Sequence, residues 1–342
     1  MQKEIRLGLI ARCDDGGLGS LSQDFYKYLN PTKVLIIYGG YENHPERFPN
    51  GIICNAGMPN LEQIDEFLKD IDIFITFETP YNWSLISEAK KRGIKSIIIP
   101  NYEWTTNDPP VEPDLWLCPS LLDYDIFKAE GRNAEYLPIP IDRTRIPFRL
   151  RTKAETFVFN NGHGGSIGRN SAREMIEAIA RIKSDVKFIV RSQVPLDNML
   201  NDGKTKFVLG NAKKEDLFEE GDVMVFPHKF DGLSLPMQEA MAAGMPIIAT
   251  DFYPHNEYLP KELLFPPDDI GKAKLCEDCR EIDLHFVYPK LIAQKIDELA
   301  GKDITEISLQ MNRQAEKWSW DNQKGNYINL INKLCNPYEY EQ

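Results

Sequence analysis

The sequence predicts an α/β protein made of two doubly wound domains with parallel sheets. Three observations lead there. The chain has 342 residues, more than a single hydrophobic core usually organises. Short apolar runs rich in Ile, Val and Phe alternate with segments of helical spacing along the whole length. The alternation pauses once, at the Pro-containing phrase 136–142 and the charged stretch 143–153, and then begins again.

The first domain is expected over residues 1–147. Residues 5–11 read as an apolar strand. A Gly-rich loop follows over 12–20, with Gly17, Leu18 and Gly19 at its end. Such a loop either lets a ligand approach the backbone or simply makes a tight strand-to-helix turn. Leu21, Phe25, Tyr28 and Leu29 carry the spacing of a helix face. Residues 33–38 form the next strand, 39–57 look irregular, and 61–69 read as an amphipathic helix. Strand 71–77, helix 83–92 and strand 95–99 continue the pattern. Strand 114–118 leads to a helix capped by Ser120 and running to Lys128. In open parallel sheets ligands collect outside the carboxyl ends of strands. Glu78, Tyr102, Glu103 and Trp104 fall there, as ligand contacts or as packed loop residues.

The second domain is expected over 148–318 and the last helix over 319–342. Strand 156–160 runs into the Gly-rich loop 161–170, and helix 171–182 follows. Strand 186–190 delivers Arg191, a phosphate binder or a salt-bridged surface residue. Residues 207–211 form a strand and turn, 216–219 a short helix, and 222–226 a strand that feeds Pro227, His228 and Lys229. Residues 270–282 are polar and read as a surface loop. Helices are expected over 289–299 and 304–317.

The stretch 230–251 organises the second domain. Asp231-Gly232 is a turn pair. Pro236 suits the first turn of a helix that runs to Ala243. Gly244 stops that helix in a left-handed conformation, with Pro246 just beyond. Residues 247–249 then enter a buried strand. The helix N-terminus offers N–H groups and a positive dipole end to an anion. Asp231 and Glu239 flank that spot, where carboxylates can accept hydrogen bonds from sugar hydroxyls. The same place would suit a nucleotide sugar. Taken singly, Asp231 is also a turn former and Glu239 an acid near a helix start.

This stretch resembles the signature of family 4 retaining glycosyltransferases of the GT-B fold, Glu-Gly-Phe-Gly-Leu-Pro followed by Glu-Ala-Met-Ala. Asp231 falls on the first Glu, Gly232 on the Gly, Ser234 on the second Gly and Glu239 on the second Glu. Asp for Glu and Ser for Gly are departures. The phrase 136–142 is similar to the family's interdomain passage, and Trp318-Ser319-Trp320 to its last helix start. The resemblance implies two Rossmann-like domains facing each other across a cleft, with the final helix returning to the first domain. It implies transfer of a sugar from a UDP- or GDP-linked donor to a hydroxyl, with retained anomeric configuration. The acceptor would be a glycan, a lipid-linked sugar or a small molecule.

The resemblance also distributes roles. Asp231 and Glu239 become the catalytic acids, the first by the donor sugar and the second on the ribose hydroxyls. The donor side takes Gly17, Leu18, Gly19, Gly232, Leu233, Ser234 and Leu235, with Arg169, Arg191 and Lys229 as cations for the diphosphate. His163 is a loop residue or a further donor contact. Glu78, Tyr102, Glu103 and Trp104 become the acceptor side. Two other readings stay open: the same transfer onto a nucleic-acid base, as viral DNA-modifying glycosyltransferases perform, and a nucleotide-sugar-binding protein without turnover.

Composition narrows the choice. With 42% hydrophobic and 27% charged residues the chain looks like an ordinary globular protein. No apolar run reaches the about 18 residues of a membrane span. Met1-Gln2-Lys3-Glu4 leads straight towards a strand, so no signal peptide and a cytoplasmic location are expected. A net charge of −12 disfavours an electrostatic grip on nucleic acid or anionic lipid. Of six cysteines only Cys276 and Cys279 form a Cys-x-x-Cys pair, and no second half of a zinc site accompanies them. The other four read as small core residues of a reducing compartment. No Asp-x-Asp motif stands out, so neither a metal nor a cofactor is expected beside the nucleotide-sugar co-substrate.

Overall fold

The structure is a computed structural model that describes residues 4–213 and 215–336; the start of the chain at Met1 lies outside them. The chain divides into two compact units. One comprises the residues up to Pro140, residues 275–280 and the chain from Trp320 onward. The other comprises residues 141–274 and 281–319.

The first unit holds seven strands: β1 (Leu7–Arg12), β2 (Lys33–Ile37), β3 (Ile52–Cys54), β4 (Ile73–Phe77), β5 (Lys95–Ile99), β6 (Leu115–Cys118) and β7 (Ala134–Tyr136). They form one sheet in the order β3-β2-β1-β4-β5-β6-β7. Every neighbouring pair is parallel. Helices α1 (Gly17–Leu29), α2 (Leu61–Leu68), α3 (Ser84–Lys91) and α4 (Leu121–Ala129) connect them. Strands β4 and β6 are buried at every position, which is why they read as nearly continuous apolar runs. Asn60 and Gln63 close a capping box on α2, and Ser120 accepts from Asp123 N–H at the start of α4.

The second unit holds β8 (Thr156–Asn161), β9 (Lys187–Ser192), β10 (Thr205–Leu209), β11 (Val223–Phe226), β12 (Ile247–Thr250) and β13 (Leu264–Phe265). Their order, β10-β9-β8-β11-β12-β13, is again parallel throughout. Helices α5 (Ala172–Ile179), α6 (Leu235–Ala242) and α7 (His255–Tyr258) lie between strands, and α8 (Pro289–Leu299) and α9 (Thr305–Lys317) complete the unit. An antiparallel hairpin of β14 (Asp269–Ala273) and β15 (Ile282–Phe286) stands outside the sheet. In both units the strand order reverses beside the first strand, between β1 and β4 and between β8 and β11. Such switch points open a crevice at the strands' carboxyl ends.

Helix α10 (Trp320–Cys335) counts with the first unit. Trp320 and Tyr327 meet Phe25 of α1 edge-on, and Trp320 stacks on Tyr28 with centroids 4.8 Å apart. The Tyr327 hydroxyl donates to Pro138 C=O at 3.1 Å.

Several expectations need correction. Residues 39–57 are not wholly irregular, since Phe48 packs inward and β3 pairs on the edge of β2. Residues 134–136 form the other short edge strand, β7. Helix α1 starts at Gly17, so Gly17, Leu18 and Gly19 are its first turn and not a preceding loop. A side chain at Gly19 would sit 1.8 Å from Asp14 C=O, which explains the glycine. Residues 270–282 are only partly a loop: 270–273 belong to β14, Ile282 opens β15, and the residues between form the hairpin's turn. Cys276 and Cys279 are joined in a disulfide at its tip. Arg280, also at the tip, makes a two-pronged contact with Glu130 at 2.7 Å and lies over Phe127. The stretch 143–153 contains the fully buried Arg151, which donates to the carbonyls of Arg149, Phe218, Gly221 and Ala243. Among the described residues no helix is long and apolar enough to cross a membrane.

Candidate functional site

The carboxyl ends of β8 and β11 border the switch point of the second unit, and each continues into a loop. After β8 the chain makes a one-turn 3-10 helix over His163–Ile167 before α5. The two glycines inside it leave room for neighbouring side chains. A Cβ on Gly164 would sit 2.5 Å from the Arg169 guanidinium, and one on Gly165 2.2 Å from the buried Asn161 amide. The amides of Asn161 and Asn170 meet at 3.2 Å. Asn161 also donates to the Ser192 hydroxyl at the end of β9.

After β11 the chain runs through Pro227, His228 and Lys229. Lys229 N–H donates to Arg169 C=O at 2.8 Å, so the two loops are pinned together by backbone. The Lys229 ammonium pairs with Glu174 of α5 at 3.0 Å and lies over the Phe286 ring. The His228 ring stacks on Phe226, with centroids 3.6 Å apart.

Asp231 is almost fully buried. Its Oδ1 accepts from Ser234 N–H at 3.3 Å. Its Oδ2 faces His228 Nδ1 at 3.2 Å and His255 Nε2 at 3.7 Å. Burial alone would raise this carboxyl. The hydrogen bond to His228, the nearby His255 ring and the charge of Arg169 outweigh burial and hold it well below the ordinary range. Burial pulls His228 down to about 4, against the opposing pull of Asp231, so its ring is neutral at pH 7. Ser234, which precedes α6, adopts a left-handed φ of 48°. Glycine suits that geometry better, and a serine there stores about 1 kcal/mol of strain. Pro236 lies in the first turn of α6, and Gly244 ends it at φ +71°. Glu239 sits on α6, half-buried.

The candidate residues of this unit thus separate into groups. His163, Arg169, Lys229, Asp231, Gly232, Leu233, Ser234, Leu235 and Glu239 belong to the two pinned loops and α6. Arg191 does not belong to a loop. It lies within β9, buried, and pairs with Glu220 at 3.5 Å; burial lowers its guanidinium.

The first unit gathers its own polar cluster at the carboxyl ends of β1, β4 and β5. Arg12 pairs with the buried Asp14, whose Oδ1 accepts from Gly16 N–H at the start of α1. Burial and neighbouring Glu78 push the Tyr81 hydroxyl well above its ordinary value, against the pull of Arg12. Glu78 and Tyr81 both hold positive φ, at 63° and 61°. Two strained non-glycine residues so close together are typical of a ligand-facing turn. Asn101 donates to Glu78 at 2.7 Å. Tyr102, Glu103 and Trp104 form a single 3-10 turn in which Glu103 is buried and Trp104 is exposed. Sequence reading missed Arg12, Asp14, Tyr81 and Asn101 here, and His228, His255, Asn161 and Asn170 in the second unit. All but His255 and Asn170 lie at, or within four residues of, the carboxyl end of a parallel strand, the position that would have found them.

Residues 163–282 match the family model described as Glycosyl transferases group 1. The chain is 22% identical over 247 residues to the sulfoquinovosyl transferase SQD2 of Arabidopsis thaliana, a match covering 65% of this chain and 48% of that protein. It therefore spans about half the length of that relative. Among solved structures, sucrose-phosphate synthase from Thermosynechococcus elongatus superposes with a TM-score of 0.65 at 13% identity, covering 97% of this chain and 99% of that one. Anabaena Alr3699/HepE, in complex with UDP and glucose, superposes with a TM-score of 0.67 at 10% identity, covering 96% and 99%. The catalytic domain of starch synthase IV from Arabidopsis thaliana, bound to ADP and acarbose, gives 0.61 at 11% identity, covering 97% and 100%. These neighbours bear out the GT-B fold expected from the sequence, with its two Rossmann-like sheets.

Proposed function

We propose that the protein transfers a glycosyl group from a UDP- or GDP-linked sugar to an acceptor hydroxyl, with retention at the anomeric carbon. The observation that carries this reading is the pinned pair of loops at the β8/β11 switch point. It brings Arg169, the α6 N-terminus and Glu239 into one unit, inside the segment that matches the family model. A nucleotide sugar needs three things from a protein. Its diphosphate must be stabilised as the bond to the sugar breaks. Its ribose must be held, and its anomeric carbon must meet the acceptor oxygen.

Arg169 and the first-turn amides of α6 suit the diphosphate. Lys229 and Arg191 are weaker choices, because Glu174 and Glu220 already balance their charge. Glu239 is assigned the ribose hydroxyls by its place in the motif. Asp231 acts mainly by shaping the loop, since its two oxygens are turned to Ser234 and the two histidines. The cluster of Glu78, Asn101, Tyr102 and Glu103 is assigned to the acceptor, which is a glycan, a lipid-linked sugar or a small molecule.

The test is release of nucleoside diphosphate from a panel of nucleotide sugars, with Glu239→Ala as control. Release from one donor, lost in the variant, supports the reading and names the sugar. Absence of both release and nucleotide binding across the panel would sink it. Binding without release, with every acceptor class supplied, would instead favour a non-catalytic binder.

A further inference from the structure

We propose that His228, Asp231 and His255 form a binding site for one divalent transition-metal ion, with Zn2+ the best match. The three ligand atoms lie within 4.8 Å of one another, and His228 and His255 are 3% and 0% exposed. The site is built from three loci that the fold brings together. His228 follows β11, Asp231 opens the turn before α6, and His255 starts α7 after β12.

The decisive observation is at His255. Its Nδ1 lies 3.0 Å from Thr250 C=O, an oxygen that can only accept, so Nδ1 carries a proton. The Nε2 atom is buried with no hydrogen-bond partner, and it faces Asp231 Oδ2 at 3.7 Å. In the neutral ring a nitrogen lone pair therefore points at a carboxylate oxygen. A cation between the two removes that conflict. A ring N–H held by a backbone carbonyl, with the other nitrogen aimed at a carboxylate, is also how metal-ligating histidines are commonly oriented.

The spacing agrees. Ligands at about 2.0–2.1 Å from a tetrahedral Zn2+ stand about 3.3–3.4 Å apart. The separations here are 3.2 Å from His228 Nδ1 to Asp231 Oδ2 and 3.7 Å from His255 Nε2 to the same oxygen. Stacking on Phe226 fixes the plane of the His228 ring. Loading moves the His228 ring proton from Nδ1 to Nε2 and leaves that ring neutral. Two nitrogens and one oxygen leave a fourth position for water or another oxygen ligand, a donor set that suits Zn2+. Bound there, the ion cross-links the start of α7 to the turn before α6.

The proposal stands apart from the glycosyl-transfer reading, because stoichiometry, spectrum and thermal stability report on it without any turnover. The full chain is stripped with a chelator and titrated with Zn2+ or Co2+. The expected result is one ion per chain, a raised Tm, and a visible Co2+ spectrum of four-coordinate nitrogen and oxygen ligation that Zn2+ abolishes. Asp231→Asn and His255→Gln preserve side-chain size, and each is expected to weaken binding by more than about 100-fold, beyond the loss of an outer-shell partner. His44→Ala, which removes the exposed Asp15–Glu42–His44 group, and the double variant Cys276→Ser, Cys279→Ser are expected to bind like the parent. No stoichiometric binding, binding that survives both site variants, or a thiolate-ligated Co2+ spectrum would overturn the proposal. If a variant fails to fold, the parent's stoichiometry and Co2+ spectrum decide. A proton in place of the metal, seen as His255 titrating as an imidazolium under excess Zn2+, would overturn it as well.

Discussion

Gly164 and Gly165 are neighbours, yet a methyl group on each meets a different obstacle. On Gly165 it would press on Asn161, a buried side chain held by Ser192. Gly165→Ala is therefore expected to destabilise the second unit by about 1–3 kcal/mol, read as a lower Tm. On Gly164 it would press on the guanidinium of Arg169, the far end of a flexible side chain. Gly164→Ala is expected to leave Tm nearly unchanged and to weaken nucleotide affinity, measured by calorimetry. Arg169→Ala is expected to slow nucleoside diphosphate release by on the order of 100-fold, whereas Lys229→Ala, whose charge Glu174 already balances, is expected to cost less than about tenfold. The acidic pair Asp231 and Glu239 was visible in the sequence because turn, proline and helix signals bracket it locally. The histidines around Asp231 were not. His255 reaches Asp231 only because β12 returns parallel to β11, and no local spacing encodes that return.

Single elements owe their order to contacts that hydrophobic periodicity does not reveal. Arg151 is a buried guanidinium satisfied by four backbone carbonyls, with no carboxylate at hydrogen-bonding distance among the described residues, and burial lowers it to about 9. Arg151→Met leaves those carbonyls without their donor, and an unfolding midpoint shift equivalent to about 3–5 kcal/mol is expected. Arg151→Lys should not restore the loss, since one ammonium cannot reach four carbonyls. Glu130 is the second case. Hydrogen bonds from Arg280 hold its carboxyl below the ordinary value. A lowered carboxyl adds stability above the unfolded value of about 4.3 and loses it as pH falls through the folded one. Glu130→Gln should therefore destabilise the chain at pH 7, by about 1 kcal/mol because Glu130 is partly exposed, and the gap from the parent should narrow as pH falls below the unfolded value. Legibility followed burial. Strands β4 and β6 are buried at every position, and α8 opens on a proline at its first residue. The edge strands β3 and β7, at three residues each, are too short for a period to show. The β14 strand carries no buried residue, so its alternation left no apolar mark.

For the whole molecule, charge and segmentation matter most. With a net charge of −12 the chain is expected to show no retention on duplex DNA at physiological salt, checked by fluorescence anisotropy. Tight, salt-resistant binding would revive the nucleic-acid acceptor. Segmentation has a more practical reach. The first unit is assembled from three separate stretches of chain, and Trp320, Tyr327 and Arg280 supply aromatic and ionic partners for Phe25, Phe127 and Glu130. No single cut excises it. A chimera that exchanges only residues up to Pro140 would confront a foreign α1 and α4 with this chain's own helix and hairpin tip. Exchanging the first unit for that of another protein would thus require three coordinated grafts.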